Sequence, residues 1–162
     1  MSFASRVVLI TGASSGIGEA LSRALLADGA AVILSGRRVE ALQQLAALAP
    51  ERTLILPFET TDYDRLPALV EQAWAWQGRV DLLINNAGVA PSAPIGKLDL
   101  ATWQRAFDVN ATAPLLLCQA VLPDMQDGNW GRIVTVASTA GLRGYPFVAA
   151  YVASKHALIG LT

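Results

Sequence analysis

The sequence predicts an α/β protein built on a doubly wound parallel sheet. Short β-branched runs recur along the chain, helix-spaced apolar segments separate them, and the runs are almost continuously apolar. Continuous rather than alternating apolarity belongs to parallel strands covered by helices on both faces. Right-handed crossovers then leave a ligand crevice at the carboxyl ends of the strands.

The elements follow in order. A strand over residues 7–10 runs directly into Thr11-Gly12-Ala13-Ser14-Ser15-Gly16-Ile17-Gly18, and a helical pattern over 17–27 begins at once. Strands over 31–34 and 53–56 precede helical patterns over 40–48 and 64–76. A fourth strand, 82–84, ends in Asn85-Asn86-Ala87-Gly88 and a loop through Pro91-Ser92-Ala93-Pro94-Ile95-Gly96. The long helical pattern over 100–125 contains Pro114, whose missing amide predicts a kink or break near Asn110. A fifth strand, 133–137, stops at Ser138, and Gly141, Gly144 and Pro146 mark the connection to a last helix carrying Tyr151 and Lys155.

The bulk properties narrow the function classes. At 162 residues the chain is the size of one domain. It is 53% hydrophobic and 15% charged, with a mean hydropathy of +0.41, which predicts unusually complete burial. Twelve basic and thirteen acidic residues give a net charge of −1, with no electrostatic footprint for nucleic acid or an anionic membrane. The single cysteine, Cys118, cannot form an intrachain disulfide, and Met1 to Arg6 lacks a signal-peptide apolar region, so a cytoplasmic setting is expected. The longest apolar stretches, such as Ala113 to Cys118, are too short to predict a membrane span.

The glycine turn is the first feature with chemistry. Glycines allow a tight turn and a close approach of pyrophosphate to backbone, and the helix that follows offers free N–H groups and a positive dipole end. The spacing is TGxxxGxG, not the dinucleotide pattern GxGxxG. Alone, such a turn could merely join strand to helix.

Tyr151 and Lys155 are four apart and share one helix face. Carbonyl reduction needs a proton donor at the oxygen as hydride reaches the carbon, and an isolated phenol exchanges protons poorly at neutral pH. A lysine on the same face favours the phenolate, making the exchange easier, and its ammonium can hold the nicotinamide ribose hydroxyls. Ser138, thirteen positions before Tyr151, is suited to donate to the substrate oxygen. As an isolated pattern YxxxK is usually a solvated helix face; here four motifs occur in order.

Those motifs resemble the short-chain dehydrogenase/reductase family, in the subgroup with TGxxxGxG and YxxxK: the glycine turn, Asn85-Asn86-Ala87-Gly88, Asn110 within Phe107-Asp108-Val109-Asn110-Ala111, and Ser138 with Tyr151-Val152-Ala153-Ser154-Lys155. The resemblance implies a Rossmann-like sheet with five strands in the order 3-2-1-4-5. It implies a catalytic tetrad of Asn110, Ser138, Tyr151 and Lys155, in which Asn110 holds a water linking the lysine to solvent. It also implies cofactor contacts from Gly12, Ser14, Ser15, Gly16, Ile17, Gly18, Arg37, Arg38, Glu59, Thr60, Asn86, Ala87, Gly88, Tyr151 and Lys155. A small-molecule carbonyl or alcohol as substrate and a homo-oligomer, dimer or tetramer, complete the expectation.

The second strand ends in Leu34-Ser35-Gly36-Arg37-Arg38, where an NAD-selective site would place an acid on the ribose 2′-hydroxyl. With Gly36 there and a guanidinium available from Arg37 or Arg38, NADP(H) is preferred and NAD(H) is the alternative. Against this, the arginines could simply solvate a loop, and Ser15 stands where NADP-preferring relatives often carry a basic residue. Glu59-Thr60-Thr61-Asp62 resembles the family's adenine-side segment, with Glu59 in place of the usual Asp.

Other conspicuous residues carry less. His156 has no partner at metal-ligand spacing, so no metal site is predicted, and Cys118 and the tryptophans read as packing or interface residues. Arg143-Gly144-Tyr145-Pro146-Phe147 suggests an aromatic-lined pocket without naming a substrate. The sequence ends at Thr162, seven positions past Lys155, where family members continue through two further strands. The expectation is therefore a single dinucleotide-binding domain over 1–162, incomplete at its C-terminus, with the fifth strand an exposed edge that favours association. The main reading is an NADP(H)-dependent carbonyl/alcohol oxidoreductase. The alternative is a catalytically silent nucleotide-binding or interaction fragment, while the TGxxxGxG spacing disfavours an epimerase or dehydratase of the extended relatives.

Overall fold

The computed structural model describes residues 2–162. Five parallel strands, β1 (Val7–Thr11), β2 (Ala31–Gly36), β3 (Thr53–Pro57), β4 (Leu82–Asn85) and β5 (Arg132–Thr135), form one sheet in the order β3-β2-β1-β4-β5. The central strand β1 places Ile10 beside Leu34 of β2 and Ile84 of β4, and all five of its residues are buried. This is the predicted doubly wound order, and it brings every strand's carboxyl end to one edge.

Side-chain alternation divides the core into two layers. Val7, Leu9, Ile33 and Leu83 point to one face, where α3 (Leu66–Gln77) and α5 (Ala113–Asp127) supply Leu69, Ala73, Leu117 and Val121. Val8, Ile10, Val32 and Leu34 point to the other, covered by α1 (Gly16–Ala27) and α2 (Val39–Ala46) through Leu25, Leu26, Leu42 and Leu45. β5 is the edge strand the sequence leads one to expect, and it leaves Val134 47% exposed.

The segment between β4 and β5 contains one helical run of 28 residues, Leu100–Asp127, which matches the long helical pattern expected over 100–125. By length and composition it could cross a membrane, but its buried residues Ala113, Leu117, Val121 and Met125 pack as a core helix. α4 (Leu100–Phe107) starts at Asp99, whose carboxylate accepts from the Thr102 amide, a bond that holds Asp99 below the usual carboxylate range. The predicted break near Asn110 is a π turn, Asp108–Thr112. Pro114 has no N–H to return to the Asn110 carbonyl, and the ladder widens there, with Ala113 donating to Asp108 instead. The last helix, α6 (Ala149–Leu161), packs against α4 and this π turn.

Candidate active site

The turn after β1 needs glycine for two separate reasons. Gly12 and Gly16 adopt φ of +65° and +55°, in the left-handed region. Gly18 instead permits close packing, since a Cβ there would lie 2.2 Å from the Gly12 carbonyl oxygen and 2.5 Å from Asn86 Nδ2. Asn86 Nδ2 donates to the carbonyls of Thr11 (2.9 Å) and Gly12 (3.2 Å). The Thr11 hydroxyl accepts from the amides of Asn86 and Ala87, both at 3.1 Å. Together these bonds tie the ends of β1 and β4 into one floor. Thr11 is absent from the sequence-predicted set, although its place directly before Gly12 at a strand end was the available signal.

Above that floor lies a cavity of about 600 Å³ along the carboxyl edge of the sheet. Gly12, Ser14, Ser15 and Ile17 line it from the turn, and Arg37, Arg38, Glu59 and Thr60 from beyond β2 and β3. Asn86, Ala87 and Gly88 line it from beyond β4, and Tyr151 and Lys155 from α6. Gly16 and Gly18 do not line it and shape the turn beneath. Ser15 is the N-cap of α1 and makes no capping side-chain bond, so no side chain at the cap meets the first-turn amides, which are suited to an anion. The cavity also takes in Phe58, Val136, Arg105 and Val109, which the sequence reading missed. Arg105 and Val109 are four apart on one helical run, a spacing visible in the sequence but uninformative until Arg105 is seen beside Glu59.

One end of the cavity is backed by buried polar side chains bonded largely to backbone. Asn110, on the π turn, is completely buried and off the cavity wall. Its Oδ1 accepts from Val89 N, and its Nδ2 donates to Val89 O and Ser154 Oγ, each at 2.9 Å. These contacts clamp α6 to the loop after β4. Lys155, only 4% exposed, donates from Nζ to the Val136 carbonyl at 2.8 Å, and burial lowers its pKa from 10.5. Its Nζ lies 6.0 Å from the Tyr151 ring centre. Ser138 is also off the cavity wall, next to the lining Val136 and Ala137, and its Oγ accepts from the Ala140 amide at 3.1 Å, leaving its own hydrogen to donate.

The other end is held by charges in contact with solvent. Arg38 donates to the Ser14 carbonyl and to Ser14 Oγ. Arg37 pairs with Glu59 at 3.3 Å, so the carboxylate that residue 36 lacks arrives from the segment beyond β3. Of residues 143–147, neither Tyr145 nor Phe147 lines this cavity. Tyr145 bonds to Thr139 and Arg143, which hold its phenol below the usual value, and the Phe147 carbonyl accepts from Ala93 at 2.7 Å.

A family model for short chain dehydrogenase matches residues 6–162. The chain is 39% identical over 157 residues to nodulation protein G of Rhizobium sp. (strain N33), covering 97% of this chain and 64% of that protein. It is 38% identical over 157 residues to the ketoacyl reductase HetN of Nostoc sp. (strain PCC 7120 / SAG 25.82 / UTEX 2576), covering 95% and 55%. A solved short-chain dehydrogenase from Streptomyces avermitilis is similar with a TM-score of 0.94 and 35% identity, over 99% of this chain and 59% of that one. The chain thus spans 55% to 64% of the length of these two curated relatives.

Proposed function

The chain belongs to the short-chain dehydrogenase family, and from that premise we propose that residues 1–162 form the dinucleotide-binding domain of an oxidoreductase. Its reaction interconverts a small-molecule carbonyl and secondary alcohol with NADP(H). One observation carries this reading: Tyr151 and Lys155 share a wall of the cavity that also takes in the glycine turn before α1 and Arg37.

The lining fits the coenzyme. Ser14, Ser15, Ile17 and the first-turn amides of α1 would hold the pyrophosphate. Arg37, Arg38, Glu59 and Thr60 would hold the adenosine, with Asn86, Ala87 and Gly88 along the middle and Lys155 at the nicotinamide ribose. A nicotinamide dinucleotide bound there supplies or accepts the hydride. Arg37, with no acid at position 36, favours a 2′-phosphate, and NAD(H) is the weaker alternative. Assembly as a homo-oligomer is part of the same reading.

The chain's own groups then manage the proton. Tyr151 gives a proton to the substrate oxygen in reduction and takes it back in oxidation. The Lys155 ammonium would hold the nicotinamide ribose beside Tyr151, and the free Ser138 hydrogen stabilises charge on the substrate oxygen. Asn110 acts as a positioning residue, holding the loop after β4 against the helix that carries Tyr151 and Lys155.

Carbonyl-dependent oxidation of NADPH is the test. Tyr151→Phe should lower kcat by roughly 10²–10⁴-fold while leaving NADPH binding unchanged. A broad panel of ketones and aldehydes without turnover, or a Tyr151→Phe variant equal to wild type, overturns the reading.

A further inference from the structure

We propose that Arg105 is a specificity-determining residue for the coenzyme: it holds Glu59 neutralised so that Arg37 is free to take a 2′-phosphate. The proposal rests on the dinucleotide reading above and names a regulator of that site's selectivity.

Glu59 is shared between two guanidinium groups. Its Oε2 accepts from Arg37 Nη1 at 3.3 Å, and Arg105 Nη2 lies 3.8 Å from the same oxygen. The three side chains come from separate elements, beyond β2, beyond β3 and on α4, and all line the cavity. Arg38 is engaged with Ser14, which leaves Arg37 as the guanidinium for an incoming dianion.

The side chains of Arg37, Glu59 and Arg105 are 64%, 37% and 51% exposed, so their ion pairs are weak and exchange partners readily. With Arg37 as its only partner, Glu59 would retain that guanidinium and repel a 2′-phosphate. With Arg105 at 3.8 Å, Glu59 keeps a cation when Arg37 turns away. A ribose 2′-hydroxyl requires no such exchange. Arg105 therefore acts through Glu59, and selectively on the phosphorylated ligand.

Calorimetry with adenosine 2′,5′-bisphosphate and adenosine 5′-monophosphate reads this end of the cavity directly, with NADPH and NADH run beside them. Arg105→Met should weaken the bisphosphate about three- to fivefold and the monophosphate by less than about twofold. Arg105→Lys, which keeps the charge, should restore the wild-type ratio, and raised salt should shrink the difference. In a Glu59→Gln background, Arg105→Met should have no further effect, because there is no carboxylate left to neutralise. Equal losses for both ligands, the same loss with or without the Glu59 carboxylate, or no loss at all overturns the proposal. Wild-type protein that binds neither dinucleotide overturns the site reading and this proposal together. Wild-type protein that binds NADPH, but whose Arg105 and Glu59 effects are independent, overturns this proposal alone.

Discussion

The two ends of the cavity are built from different forces. At the α6 end, buried Asn110, Lys155 and the Thr11 hydroxyl are fixed by short bonds to backbone. At the arginine end, Arg37, Glu59 and Arg105 meet through long ion pairs in water. A buried polar group without its partner is costly, so the first end has one stable arrangement. Exposed ion pairs contribute about 0–1 kcal/mol, so the second end can rearrange around its ligand. Precision is invested where a proton would move, and adaptability where a charged ligand would be selected.

The largest expected break in this contrast is at the floor. In Gly18→Ala the added methyl would sit 2.2 Å from the Gly12 carbonyl oxygen, a backbone atom that can move only if the turn moves. The cost should be about 3 kcal/mol or more, seen in urea unfolding, together with loss of coenzyme binding. A variant with wild-type unfolding would show that the floor is as adaptable as the rim. The same experiment on Arg37→Ala should change stability by no more than about 0.5 kcal/mol.

Asn110→Ala comes next. It removes the partner of the Val89 amide, the Val89 carbonyl and Ser154 Oγ in one step. The expected loss is about 1–3 kcal/mol, with hydrogen exchange quickening at Val89 and along α6. If exchange stays at wild-type rates in α6, Asn110 is not the clamp between that helix and the loop after β4.

Much of this was legible in the sequence because the strands announce themselves locally. All five strands lie within two residues of their expected bounds, and the Pro114 amide deficit locates the π turn. β5 is expected over 133–137 and spans Arg132–Thr135; just past it, the Val136 amide still bonds to the Asn85 carbonyl while its own carbonyl accepts from Lys155. Asn110 was singled out, but the use of its side chain was not visible: Val89 and Ser154 stand 21 and 44 positions away. The Arg37, Glu59 and Arg105 cluster is hidden for the same reason, since its members meet from three separate elements. Motif spacing records which residues recur together along the chain; the partners that decide their electrostatics are tertiary.

The smallest effect tests whether the rigid end carries a cost of its own. Burial lowers the Lys155 pKa below 10.5, so the unfolded chain holds this proton more tightly than the folded one. Well below the lowered value both states are protonated, and the folded protein carries the full penalty of a buried ammonium. As pH rises through the lowered value toward 10.5, the folded amine loses its proton first and that penalty is relieved. The stability of wild type relative to Lys155→Met should therefore be flat at low pH and climb in that window, since other titrating groups largely cancel in the difference. Turnover should be lost in Lys155→Met at every pH, whatever its stability. A difference curve that stays flat up to pH 10.5, or falls, would mean that the Val136 carbonyl compensates the buried charge completely. The α6 end would then be rigid without being strained, and the contrast between the two ends would reduce to hydrogen bonding alone.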